Sequence, residues 1–225
     1  MVARLLSTLL VALALMGCST MGTLHGARPL EPGEHMMQAA LSLQKQSNPL
    51  TTALDIPLPQ IELGYRRGLV SEVDWGVRVY MVGAVADLRY RFARLGPFDV
   101  ATQPSLGLFA LPTPATGFGN IDLGLPVVAE MDLGAKQRSS LVLSTRAVGR
   151  QHFAWLSDPD LGSGAAGRFE LLAGGGARIT RRFRRLRIGG YADVLVNTSR
   201  LGPVWWTGGA DLGLVLGEPR VDDDE

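Results

Sequence analysis

One stretch of the chain has the residue types for acid–base chemistry. His152 is followed by Asp158 and Asp160 within QHFAWLSDPDLGSG. A histidine beside carboxylates can serve as a general base, because the neighbouring negative charge favours its protonated form. The same stretch is rich in the residues of polar loops, and no catalytic residue is assigned from it. The chain has one cysteine, Cys18, so an intrachain disulfide is impossible. No glycine-rich nucleotide loop, cysteine–histidine cluster or redox motif is present, and neither a cofactor nor a metal is expected.

The elements that must position these residues are clearest between Ile61 and Phe92. Every second residue there is apolar: Ile61, Leu63, Tyr65, then Val73, Trp75, Val77, Val79, then Ala86, Leu88, Tyr90, Phe92. Between them stand Glu62, Gly64, Arg66, Glu72, Asp74, Gly76, Arg78, Asp87, Arg89 and Arg91. Alternation of period two puts successive side chains on opposite faces of a strand. The stretch is three strands, each with an apolar face and a face mixing charge with glycine.

The pattern recurs along the chain. The first strand is expected near His35–Lys45 and the fifth near Asp99–Ala110, broken by Pro104. Further strands are expected near Asn120–Leu133, Ser139–Arg150, Phe169–Thr180, Leu186–Val196 and Trp205–Leu216. Together these are about ten segments of about ten residues, each long enough to cross hydrocarbon when tilted. The expected fold is all-β: a closed antiparallel up-and-down transmembrane β-barrel of about ten strands, preceded by a cleaved signal peptide. Closure leaves no unpaired strand edge in lipid.

Alternation does not say which face is inside. Gly64, Gly76, Gly124, Gly174, Gly189, Gly209 and Gly213 fall on the charged face, which suits a crowded lumen of side chains and ion pairs. Tyr65, Trp75, Tyr90, Phe92, Phe169 and Trp206 fall on the apolar face near strand ends, as an aromatic girdle requires. Both place lipid outside. The lumenal charges then include Glu62, Arg66, Asp74, Arg78, Asp87, Arg89, Arg146, Arg178 and Asp193, lining a pore or pairing to fill the barrel.

Connection lengths alternate. Gln46–Gln60, Leu111–Gly119, Gln151–Arg168 and Asn197–Val204 form one set with the short Val82–Gly83. The other set, around Arg67–Ser71, Ala93–Phe98, Gly134–Arg138 and Arg181–Arg185, is short. Membrane barrels show this asymmetry between outer loops and inner turns. The short set carries Arg67, Arg94, Lys136, Arg138, Arg181, Arg182, Arg184 and Arg185, either solvated or touching anionic head groups.

Residues 1–17 are read as a signal peptide, with Arg4 before an apolar run from Leu5 to Met16. Leu15-Met16-Gly17-Cys18 resembles the bacterial lipobox. That resemblance implies cleavage before Cys18 and lipidation at Cys18, through a diacylglycerol on the thiol and an acyl chain, such as palmitate, on the amine. Ser19, not acidic, fits export to the outer membrane of a Gram-negative bacterium. Buried acyl chains anchor at about 0.8 kcal/mol per CH₂. Residues 18–33, rich in glycine and proline, read as a flexible tether with His25 solvated; 34–217 are the barrel; 218–225 are an acidic tail.

From Glu34 to Gly217 the pattern resembles small bacterial outer-membrane β-barrel proteins. Such barrels often end on an aromatic residue, whereas this one ends Leu214-Val215-Leu216-Gly217. The strand count matches the omptin proteases, but their Asp-x-His spacing and second acidic pair are absent. The expected role is therefore structural or interactive rather than enzymatic. A narrow solute channel and a soluble lipid-anchored barrel holding an apolar ligand are the alternatives. Expected partners are outer-membrane lipids, the acyl chains on Cys18 and an unidentified protein. A net charge of +1 gives no global attraction to nucleic acid.

Overall fold

The computed structural model describes residues 25–45, 57–80, 83–112, 116–134, 138–158, 162–198 and 204–217. Cys18, Lys136 and Asp160, the hydrophobic leader and the acidic tail lie outside them. The described chain folds into β1 (His35–Lys45), β2 (Leu58–Val70), β3 (Val73–Tyr80), β4 (Gly83–Leu95), β5 (Phe98–Thr102), β6 (Ser105–Pro112), β7 (Thr116–Leu133), β8 (Ser139–Asp158), β9 (Gly162–Phe183), β10 (Leu186–Asn197) and β11 (Val204–Leu216). All pairings are antiparallel, and β1 pairs with β11 from His35↔Leu216 to Lys45↔Trp206, which closes the sheet.

β5 and β6 are halves of one stave, so the barrel has ten. The break falls at Gln103 and Pro104, as the proline implies, since Pro104 has no N–H to donate to a ladder. Its neighbours hold the break closed: Leu88 N–H donates to the Pro104 carbonyl at 3.1 Å, and Gln103 N–H to the Pro126 carbonyl at 3.3 Å.

The two faces are inverted relative to a water-soluble barrel. Outward-facing Leu41, Ile61, Leu123 and Phe169 expose between 59% and 64% of their surface. Inward-facing Arg66, Asp74 and Asp193 expose no more than 2%. Such an exterior is stable where hydrocarbon is the solvent, so the barrel is of the transmembrane type. A lumen lined by charge also contradicts the soluble alternative, which needs an apolar interior for an apolar ligand.

Both ends of the barrel sheet, His35 and Leu216, lie at one end, here termed the near mouth. The tight turns Ser71–Glu72, Gly96–Pro97 and Arg184–Arg185 are there too. Gly96 has φ 60° and Arg184 φ 55°, the left-handed conformation that closes a short hairpin. Outside this mouth the Tyr65 and Trp75 rings meet edge to face at 5.9 Å, and Tyr90 and Phe92 lie 6.4 Å apart. These form part of the expected girdle.

The far mouth differs from expectation. The described part of Gln151–Arg168 is strand: β8 and β9 continue as a ribbon from His152↔Arg168 to Asp158↔Gly162. Likewise β6 reaches Pro112 and β7 starts at Thr116. Residues 162–167 are glycine, serine and alanine, too small to alternate in polarity, yet their backbone groups still pair across the ribbon.

Candidate functional site

The segment ahead of β1 enters the lumen through the near mouth. His25 is 4% exposed, and Ala27 and Leu30 are fully buried. His25 is thus not solvated, and residues 25–34 are held in place rather than tethering freely. The physical reason is that several walls of the barrel bond to them. Leu30 N–H donates to Asp74 Oδ2 at 2.8 Å on β3, and Arg89 Nη1 on β4 donates to the Gly26 carbonyl at 2.8 Å. Arg28 donates from its backbone to Glu130 Oε2 at 3.1 Å and from its guanidinium to Asp132 Oδ1 at 2.6 Å and to Asp99. On β2 the segment lies against Gly68, whose N–H donates to the Glu34 carbonyl at 3.0 Å. A Cβ there would sit 2.7 Å from the Leu30 carbonyl oxygen, so only glycine permits the approach.

Deeper in, the charged faces of β2, β3 and β4 make one ion network. Arg66 bridges Asp74 and Asp87, and Arg89 also binds Asp74. Arg78 lies 3.6 Å from Glu62 and 3.5 Å from Asp87. The expected reason for glycine on this face is visible at Gly76, where a Cβ would fall 2.8 Å from Arg66 Nη2. Across the lumen Arg146 pairs with Asp193 at 2.7 Å and Arg178 with Asp211 at 2.7 Å. All nine lumenal charges named from the sequence therefore lie inside and take part in ion pairs. Buried pairs add little net stability, but stranding one member costs about 3–5 kcal/mol. Beside His25 the free space is about 30 Å³, room for roughly one water.

At the far mouth His152 Nε2 lies 3.2 Å from Glu170 Oε2. Asp160 lies outside the described residues, as does the side chain of Asp158. The strand register explains the pairing: Arg168 is directly opposite His152, and Glu170 is the diagonal neighbour on the same face. Glu170 also binds Arg168 at 3.0 Å. Next to them Arg150 pairs with Asp122 at 2.6 Å and lies 4.4 Å over the Trp205 ring. A carboxylate that orients a histidine can support proton transfer. Here an arginine competes for that carboxylate.

Sequence reasoning missed Arg28, Asp99 and the inward position of Trp205. It also grouped Arg182 with the turn residues. The side chain instead reaches Glu130 at 3.5 Å from within β9. Arg67, Arg94, Arg138, Arg181, Arg184 and Arg185 are exposed around the near mouth, as expected.

No protein-family model matches the chain, and no curated protein sequence matches it. Solved structures do. Neisserial surface protein A is 12% identical, with a TM-score of 0.39 over 83% of this chain and 99% of that one. Ail, the attachment invasion locus protein of Yersinia pestis, is 14% identical, with a TM-score of 0.38 over 82% and 99%. The outer membrane protease OmpT from Escherichia coli is 6% identical, with a TM-score of 0.44 over 89% and 100%. None reaches a TM-score of 0.5, and nothing about the activity of this chain follows from them.

Proposed function

We propose that the chain is an outer-membrane β-barrel lipoprotein with a structural or interaction role, and that it neither catalyses a reaction nor conducts solutes. The observation that carries this reading is the occupied lumen. Residues 25–34 lie in the near half, bonded to Asp74, Arg89 and Glu130. Arg66, Arg78 and Arg89 share Asp74 and Asp87 above them. A solute would have to displace the segment and then strand paired charges, each at a cost of several kcal/mol. That opposes the channel alternative. Around this interior the apolar exterior suits a lipid bilayer, and acyl chains on Cys18 would add a second hold on it. Outer-membrane lipids and an unidentified protein are the proposed partners.

The test is to replace Cys18 with alanine, export the chain behind an ordinary signal peptide and fractionate the cells. The expected protein stays in the outer membrane after carbonate washing and migrates differently on a gel with and without boiling. Recovery from the soluble periplasm would refute the reading.

A further inference from the structure

At the near mouth the N-terminal segment leaves an open cleft of about 540 Å³ between itself and the ends of β4, β5, β7, β9 and β10. Five arginines line it: Arg28, Arg91, Arg94, Arg182 and Arg187. Four carboxylates line it as well, Glu31, Glu34, Asp99 and Asp132. Most of these charges are committed. Arg28 holds Asp99 and Asp132, and Arg94 lies 3.1 Å from Asp99. Arg91 is 3.8 Å from the same Asp99, and Glu34 accepts the Glu31 amide at 3.0 Å.

Arg187 is the exception. Its guanidinium makes no ion pair or side-chain hydrogen bond among the described residues, although the Glu34 and Glu130 carboxylates are near enough to act on it electrostatically. Its directly opposite residue across the β9–β10 ladder is Arg182, another guanidinium on the same inward face. Like charges directly opposite one another destabilise a sheet. Arg182 is only partly neutralised, by Glu130 at 3.5 Å. A sheet built for stability alone would place a carboxylate at one of these two positions.

We propose that this cleft is a binding site for an anion bearing phosphate or carboxylate groups, with Arg187 and Arg182 as its principal contacts and Arg91 at its edge. Two guanidiniums side by side offer the forked donors that such groups accept in bidentate fashion. The site lies at the near mouth, next to Arg89 of the deeper ion network, and does not depend on whether Cys18 is acylated.

Inorganic pyrophosphate titrated by calorimetry into the full-length barrel, in an uncharged maltoside detergent, tests this. Saturable binding is expected, weakening as salt is raised. Arg187→Gln should weaken it about tenfold or more, Arg187→Lys less, and Arg184→Gln in the adjacent exposed turn should leave it unchanged. Each variant is first checked for heat-modifiable migration, so that loss of fold is recognised. A second arm compares nanodiscs with and without phosphatidylglycerol. Weaker pyrophosphate binding in the anionic discs assigns the site to a lipid headgroup, and equal binding assigns it to a soluble anion. Absence of saturable binding in detergent, or an Arg187→Gln variant that binds like the wild type, overturns the proposal.

Discussion

Leu30 donates its backbone N–H to Asp74 Oδ2 at 2.8 Å, while the other oxygen of that carboxylate serves Arg66. One fully buried carboxylate thereby ties the N-terminal segment to the ion network of the barrel wall. Asp74→Ala removes a partner from Arg66, Arg89 and Leu30 at once. The expected loss is about 3–5 kcal/mol of stability. Urea unfolding followed by tryptophan fluorescence measures it, and a loss below 1 kcal/mol, as at a surface pair, contradicts the network.

Gly68 permits the segment to lie against β2, so a side chain there should push it away. In a Cys18→Ala background, a cysteine at His25 is expected to react slowly with a water-soluble maleimide. Adding Gly68→Val should accelerate that reaction at least tenfold, because the segment leaves the lumen. Equal rates would show that the segment does not depend on this contact.

The filled lumen predicts no stepwise conductance in planar bilayers. Arg28→Ala should not open a path either. It frees the segment from Asp132 and Asp99, but Arg66, Arg78 and Arg150 still span the interior with their partners. Regular single-channel steps from the wild type would contradict the occupied lumen.

Arg182 and Arg187 face each other across the β9–β10 ladder, and of the two only Arg182 has an ion pair, to Glu130 at 3.5 Å. In the absence of anions, Arg187→Gln should stabilise the barrel by about 0.2–1 kcal/mol. Added pyrophosphate should stabilise the wild type more than the variant. Thermal loss of the heat-modifiable band gives both quantities.

Much of the architecture was legible because each membrane strand must contrast its two faces. Met37, Leu41 and Leu43 point to lipid and Gln38, Ser42 and Gln44 point inward, so period two survives in the residues themselves. Pro104 announced its own break. What stayed hidden lacks that contrast. Residues 162–167 pair along β8 with no contrast of polarity in their sequence. Arg28 and Leu30 are placed by Glu130, Asp132 and Asp74, which are far away in sequence and adjacent only once the barrel closes. The partner of His152 depends on the β8–β9 register, which a search for nearby aspartates does not reveal.

The central claim is that the apolar face of the strands meets hydrocarbon. Spin labels placed singly from Ile121 to Val127 in the Cys18→Ala protein, reconstituted in lipid vesicles, test it by power saturation. Outward Ile121, Leu123, Leu125 and Val127 alternate there with inward Asp122. The account predicts that labels at the four outward positions collide with oxygen and are shielded from a water-soluble nickel chelate. Labels at those positions reached by the chelate and not enriched in oxygen contacts would contradict it.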